Sequence, residues 1–294
     1  MSYLYYPGCS LEGTASEYDA STRAFLAAMG MELTPLEDWT CCGASAAPAI
    51  SRLLALSLAA RNLALAERSR PDLDLLVPCS ACYLNLKKAE EAIRTSSRTR
   101  HEVNAVLAEE GLEVQGTVRV RHLLDVLTRD LDLAQLTANI RRPLTGLTVA
   151  PYYGCQCLRP YPLFDSGEAP KSMEPLIQAM GARVHPWTMG PKCCGASNMN
   201  THMEAGLELS GAILAAARGA DAIATVCPMC QMNLEAYQKK ISQQRHEDLA
   251  ITIVYLPQLL GLALGIDAVD IKLDMNLAVT AGFKSKLAAP ARSP

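Results

Sequence analysis

The sequence predicts an α/β protein built as two tandem, pseudo-symmetric Rossmann-like halves, each with a parallel sheet and each carrying one Cys-Cys-Gly motif. Three observations lead there. A cysteine pattern occurs twice at a nearly constant offset, apolar β-rich runs stop at those cysteines, and helical stretches separate the runs. With 294 residues, half of them hydrophobic and 19% charged, the chain can bury a core without covalent staples, which excludes disordered and fibrous classes.

The elements follow in order. In the first half, the β-rich run Ser2 to Tyr6 stops at Gly8-Cys9, and a helical stretch covers Tyr18 to Met29. Cys41-Cys42-Gly43 precedes a second helical stretch from Ala49 to Ala66. The apolar run Leu73 to Val77 then ends at Cys79-Ser80-Ala81-Cys82, which opens a helix reaching Ile93. Val118 to Leu124 reads as a short strand passing into an apolar helix. The second half repeats this order: Leu147 to Tyr153 before Cys155, Met173 to Met180, Cys193-Cys194-Gly195, Met203 to Ala217, Ala222 to Val226, then Cys227-Pro228-Met229-Cys230 and a helix to Ile241. Ile251 to Leu256 is the second strand-to-helix passage. The expected divisions are residues 1–142, residues 143–281, and a loosely held tail at 282–294 rich in Ala, Ser, Lys and Pro.

The repeat is close in numbers as well as in order. Between copies the offset is 146 residues for the first cysteine, 152 for the Cys-Cys pair and 148 for the CxxC. Flanking residues recur too, as in Cys41-Cys42-Gly43-Ala44-Ser45 and Cys193-Cys194-Gly195-Ala196-Ser197. Strands alternating with helices imply parallel sheets, whose chemistry gathers at the carboxyl ends of the strands. Each half therefore collects five cysteines on one edge of one sheet.

Charge and hydropathy exclude several roles. A net charge of −3 supplies no basic field for nucleic acid or an acidic membrane. The longest apolar stretch, Ile251 to Ile266, is interrupted by Pro257 and Gln258 and is too short to span a bilayer, so no direct membrane insertion is expected. The N-terminus lacks the basic start and apolar run of a secretory signal, which points to the cytoplasm. Reducing conditions there, and the odd total of 11 cysteines, disfavour a disulfide scaffold.

Thiolate is a soft ligand suited to zinc and to iron–sulfur clusters, and a CxxC entering a helix presents two sulfurs close together. Adjacent cysteines point apart in regular structure. Both can serve one centre only if it is large or the backbone turns sharply, as Gly43 and Gly195 would allow. One zinc ion uses four ligands, whereas each set offers five, so the count leans towards a multi-iron cluster; structural zinc with one idle sulfur is the alternative. Cys157 has no counterpart, since Leu11 stands there in the first half, and reads as a neighbour of the centre.

The doubled pattern of one cysteine, then Cys-Cys-Gly, then CxxC resembles the cysteine-rich CCG domains of the heterodisulfide reductase B subunit and its relatives, over residues 3 to 260. The resemblance implies two non-cubane [4Fe-4S] clusters. Cys9, Cys41, Cys42, Cys79 and Cys82 would hold one; Cys155, Cys193, Cys194, Cys227 and Cys230 the other. One cluster plus one zinc is the alternative. It implies reduction or formation of a disulfide, such as that joining coenzymes M and B, between two facing clusters. The implied partners are a C subunit with two cubane clusters and a flavin-containing A subunit. Neither a CxxCxxCxxxCP run nor a GxGxxG loop occurs in the chain, so electrons must enter from a partner.

Two departures qualify the resemblance. The second half is shorter between Cys194 and Cys227, and Gln156 stands where methanogen relatives often carry histidine after the first cysteine. Without that histidine the protein would use water or another acid, or act on another substrate. The alternatives are a sulfur-oxidation subunit acting on a lipoyl-bound sulfur species on a carrier protein, and, as resemblance to CCG domains of respiratory oxidoreductases implies, a subunit that only relays electrons. Candidate substrate contacts are Lys192, Arg159 and His185, where a cation would hold an anionic group or offset the thiolate charge. Asn198 and His202 read as helix caps, and Lys87-Lys88 and Lys239-Lys240 as solvated faces.

Overall fold

The computed structural model describes residues 1–288. Its first half holds a sheet of β1 (Ser2–Tyr5), β2 (Glu32–Pro35), β3 (Leu75–Val77) and β4 (Val120–His122), in the order β2-β1-β3-β4. Every pair is parallel. The second half repeats it with β5 (Thr148–Tyr152), β6 (Arg183–Val184), β7 (Ala222–Thr225) and β8 (Thr252–Tyr255), in the order β6-β5-β7-β8, again parallel throughout. Sequence and structure thus agree on an α/β protein of two tandem parallel-sheet halves.

The inner strands β1, β3, β5 and β7 are mostly buried on both faces, as parallel sheets require, and this is why they read as apolar runs. Strands β2 and β6 lie at sheet edges, are partly exposed and carry no such signal. The expected helix at 49–66 is two helices, Ala46–Ile50 and Arg52–Ser69. Extended Ser51 breaks it, and its hydroxyl accepts the N–H of Leu54 at 3.4 Å. The helix after the second CxxC likewise divides, into Pro228–Ala236 and Gln238–Arg245.

The halves share one core. Its apolar cluster runs from Tyr3 in β1 through Leu256, Leu259 and Leu260 to Phe283, and a smaller cluster lies wholly in the second half. Helix Leu256–Leu264 packs on helix Ser16–Ala28 of the first half. Those three leucines are fully buried, each contributing about 2 kcal/mol. The expected loose tail begins instead as a helix, Ala281–Ala288, because Phe283 is buried in the shared core. Residues 289–294 of that tail lie outside the described residues.

A candidate thiolate metal centre

Four strands deliver the cysteines. β1 and β5 run out through Gly8 and Gly154 into Cys9 and Cys155, and β3 and β7 end two residues before Cys79 and Cys227. Gly8 and Gly154 have φ of +72° and +69°, and a Cβ there would meet the sulfur of Cys82 at 2.9 Å and of Cys230 at 3.0 Å. The glycine before the first cysteine of each half thus passes directly over the last, at a close approach only glycine permits.

The Cys-Cys pairs divide as adjacent side chains must. Cys41 is exposed and hydrogen-bonds to Cys9, while Cys42 is buried with its sulfur 3.3 Å from that of Cys82. In the second half Cys193 is in hydrogen-bonding reach of Cys155, and Cys194 lies 3.6 Å from Cys230. Gly43 and Gly195, at φ +79° and +77°, make the turn the sequence called for. An asparagine holds the backbone of each turn. Asn85 donates to the carbonyls of Cys42 at 3.1 Å and Ala44 at 2.9 Å, and Asn233 donates to that of Cys194 at 2.6 Å. Both asparagines stand three residues after a CxxC, so following the repeat one turn further along the sequence would have found them.

The two sets meet. Cys79 and Cys227 are within hydrogen-bonding reach across the seam, each also linked to its own CxxC partner. Cys79 and Cys227 thus stand between the two close sulfur pairs, Cys42 with Cys82 and Cys194 with Cys230. All the cysteines are free.

Electrostatics follows the pairing. The thiol of Cys42 is lowered to about 7 by its hydrogen bond from Cys82, and the same contact, with burial, pushes Cys82 up. Cys193 falls to about 6 through Cys155, then the backbone N–H of Gly195 at 3.3 Å, and last the charge of Arg159; Cys155 rises. Hydrogen bonds from Cys230 and Cys79 hold Cys227 low while both donors rise. Neighbouring thiols share protons because two bare thiolates in contact repel, and a bound cation would release those protons.

The donor set fits a thiolate-bound centre larger than one ion. Two sulfurs on one tetrahedral metal with bonds of about 2.3 Å stand about 3.8 Å apart, close to the observed pairs. Among the described residues no three His, Cys, Asp or Glu groups close on a single point, and the sulfurs meet in pairs. A cavity of about 30 Å³ lies among Cys155, Cys193, Cys194, Cys227 and Cys230, with Gln156 and the first half's Ser80 on its wall.

The other candidate residues are distributed differently. Arg159 is committed to the loop over this site, donating to the carbonyls of Gly167 at 2.9 Å and Pro191 at 2.8 Å. Lys192 is exposed, and its carbonyl accepts the hydroxyl of Tyr152 at 2.8 Å. His185 is not brought to the cysteines. It follows edge strand β6, and its ring meets the carbonyl of Ala216 at 3.2 Å. Cys157 is fully buried at the seam, its thiol pushed up to about 12 by burial, then by Cys227, and hydrogen-bonded to Ser80. His202 takes the cap position of helix Met203–Ala216 without a side-chain cap. Lys87 is no solvated face: it is 4% exposed and paired with Glu90.

A histidine–serine pair completes the seam. Nδ1 of His122 accepts the N–H of Leu124 at 3.1 Å, so its proton sits on Nε2 and is donated to Oγ of Ser80 at 3.1 Å. Ser80 donates in turn to the carbonyl of Val226, the residue before Cys227, at 3.1 Å. This link ties one CxxC to the other.

Comparison with known proteins agrees with this geometry. The cysteine-rich domain family CCG matches residues 3–87 and again 149–235. The 8-methylmenaquinol:fumarate reductase membrane anchor subunit of Wolinella succinogenes is 35% identical over 94% of this chain and 96% of its own. The B subunit of the ferredoxin/F420H2-dependent CoB-CoM heterodisulfide reductase of Methanosarcina acetivorans is 29% identical over 96% of this chain and 95% of its own. A protein of Archaeoglobus profundus, described as like the heterodisulfide reductase B subunit, is 29% identical over 91% and 92%. A hypothetical protein from Helicobacter pylori has the same fold, with a TM-score of 0.78 at 18% identity over 96% of this chain; the match spans about half, 52%, of that longer chain. No helix among the described residues is long and apolar enough to cross a membrane. The chain belongs to the CCG cysteine-rich domain family that includes the heterodisulfide reductase B subunits, and it carries the domain twice.

Proposed function

We propose that this chain is the catalytic iron–sulfur subunit of a heterodisulfide reductase-type complex in the cytoplasm, working on a disulfide between two non-cubane [4Fe-4S] clusters. The observation that carries the reading is that Cys79 and Cys227 face each other across the seam, each shifting the other's thiol, which brings two otherwise separate five-cysteine sets together. Cys9, Cys41, Cys42, Cys79 and Cys82 hold one cluster, and Cys155, Cys193, Cys194, Cys227 and Cys230 the other. When bound, the clusters supply one electron each.

The reaction balances as one disulfide plus two electrons and two protons giving two thiols. Duplication suits it, because two one-electron centres divide a two-electron cleavage without releasing a radical. The chain's own residues keep the site dry and aligned: Ser80 and His122 fix the gap between the CxxC pairs, Asn85 and Asn233 fix the Cys-Cys turns, and Arg159 pins the covering loop. Electrons come from a C subunit with two cubane clusters, fed by a flavin-containing A subunit.

A second reading, an electron relay within a quinol-linked respiratory complex, is favoured by the 35% identity to the Wolinella protein and by Gln156 in place of histidine. A lipoyl-bound sulfur substrate is the variant of the first reading compatible with Gln156. Metal analysis tests the common basis: about eight irons per chain with matching sulfide support two clusters, and one or two zincs without sulfide overturn both readings. Thiol titration of the half-oxidised protein then separates them. A thiol-dependent change in the paramagnetic spectrum supports catalysis, and indifference to every thiol supports relay.

A further inference from the structure

The repeat provides an internal comparison five residues after each CxxC. In the first half this position is Lys87, buried and bonded to both carboxylate oxygens of Glu90 at 2.8 Å, and Glu90 also accepts the N–H of Val120 at 3.1 Å. In the second half the same two positions hold Glu235 and Gln238. Gln238 takes over the backbone tie, bonding both the N–H and the carbonyl of Ile251 at 3.0 Å. The cation has gone and a carboxyl replaces it.

Glu235 is 8% exposed, and its Oε1 accepts the N–H of Ala278 at 3.2 Å. The N–H of Leu277 and the side chain of Gln231 also face it, and the charge that reaches it from across the seam is another carboxylate, Glu17. Glu17, on helix Ser16–Ala28, is 5% exposed, and its Oε2 has no hydrogen-bond partner. Lys272 is the cation facing Glu17; its Nζ is bonded to Oγ of Ser16 at 3.3 Å. A solvated protein surface would not leave such an oxygen unpaired, and burying one without a partner forfeits its hydration with nothing in return.

The two acids lie between solvent and the sulfurs. Glu235 forms part of the wall of a surface cavity of about 750 Å³, whose charged groups are Lys239, His246, Glu247 and Asp248. On the inner side, Tyr18 follows Glu17 on its helix and donates its hydroxyl to the carbonyl of Pro78, next to Cys79, at 3.1 Å. Tyr255, stacked on Tyr18, feels the charge of Glu17, Cys227 and Glu235 together.

We propose that Glu235 and Glu17 form a proton-loading pair at the seam, taking one proton from the water of this cavity as the adjoining thiolate-bound centre gains one electron from its donor. The inference rests on the reading of the cysteine sets as redox clusters. An electron added to a low-dielectric interior raises the proton affinity of nearby carboxyls, and the added proton leaves the charge of the seam unchanged. Burial already pushes Glu235 up to about 7 and raises Glu17, so small changes in field alter the protonation of Glu235 near neutrality.

The test is a spectroscopic redox titration of the cluster-loaded protein at pH 6, 7 and 8, with Glu235→Gln, Glu17→Gln and Glu235→Asp variants of equal iron content. The wild-type reduction constant is expected to fall about tenfold per pH unit, less than about twofold in E235Q, with the slope regained in E235D. Reduced-minus-oxidised infrared spectra should contain a protonated carboxyl band in the wild type that E235Q lacks. Wild-type slopes and band in both glutamine variants overturn this inference and leave the proposed function standing. Protein that binds no iron overturns both.

Discussion

Tyr18 and Tyr255 stack face to face across the seam, ring centroids 4.1 Å apart and planes within 2°. The arrangement has a counterpart on the other side of the pseudo-twofold axis. Phe164 follows Cys155 at the same spacing by which Tyr18 follows Cys9, and His122 ends β4 as Tyr255 ends β8. The rings of Phe164 and His122 are again parallel within 2°, at 6.2 Å. Each half lays a ring from behind its first cysteine on the last strand residue of the other half, close to the Cys79 and Cys227 contact.

This predicts an unequal pair of variants. Tyr18→Phe keeps the stack and loses the hydroxyl bond to Pro78, costing about 1 kcal/mol. Tyr18→Ala removes a fully buried ring from the seam and is expected to cost about 3–5 kcal/mol in denaturant unfolding. A loss below about 1 kcal/mol for the alanine variant would mean that the halves are held together elsewhere.

His122 makes stability depend on pH. Complete burial lowers it from 6.5 to about 4, so the folded protein holds it neutral where the unfolded chain is protonated. Stability from this group is intact above about 6.5 and is lost as pH falls towards 4, by about 3 kcal/mol in all. His122→Asn should flatten that part of the curve of unfolding free energy against pH, and an unchanged curve would show that folding does not shift the titration of this imidazole.

The strands and the convergence of the cysteines were legible because both carry a local signal: apolar runs for β1, β3, β5 and β7, and a repeated spacing for the sulfurs. The edge strands β2 and β6 have no buried face to impose a pattern. Glu17, Glu235 and the ring pairs depend on which helix of one half lies against the other, a relation with no sequence period. Lys87 misled for the same reason: a lysine on an amphipathic helix reads as solvated until the neighbour that buries it is known. His185 looked close to the site in number, but it follows a short edge strand opposite the middle of β5, and its ring turns to Ala216.

Cys157 and Cys82 should respond differently to substitution. Cys82 lies 3.3 Å from the sulfur of Cys42, whereas Cys157 donates to the carbonyl of Tyr153 at 3.2 Å and contacts Ser80. Cys82→Ser is expected to halve the iron content, from about eight to about four per chain, and Cys157→Ala to leave it intact while costing about 1–3 kcal/mol of stability. Loss of half the iron in the Cys157 variant would make it a ligand and break the fivefold symmetry of the two sets.

Arg159 offers the last test, because its two functions can be separated. Its guanidinium holds the covering loop through Gly167 and Pro191, and its charge lowers Cys193 beyond what the contact with Cys155 achieves. Arg159→Lys retains a charge but not the two directed bonds, since an ammonium lacks the planar fork. Arg159→Ala loses both. In the metal-free chain, alkylation of Cys193 at pH 6 should slow on the order of threefold in R159A, as its thiol rises towards the ordinary range and less of it is thiolate. R159K should stay near the wild-type rate. Proteolysis within residues 156–172 should accelerate in both variants, because both free the loop. Equal alkylation rates in R159A and wild type would assign the lowered thiol to Cys155 and the Gly195 N–H, and leave Arg159 as a fastener of the loop alone.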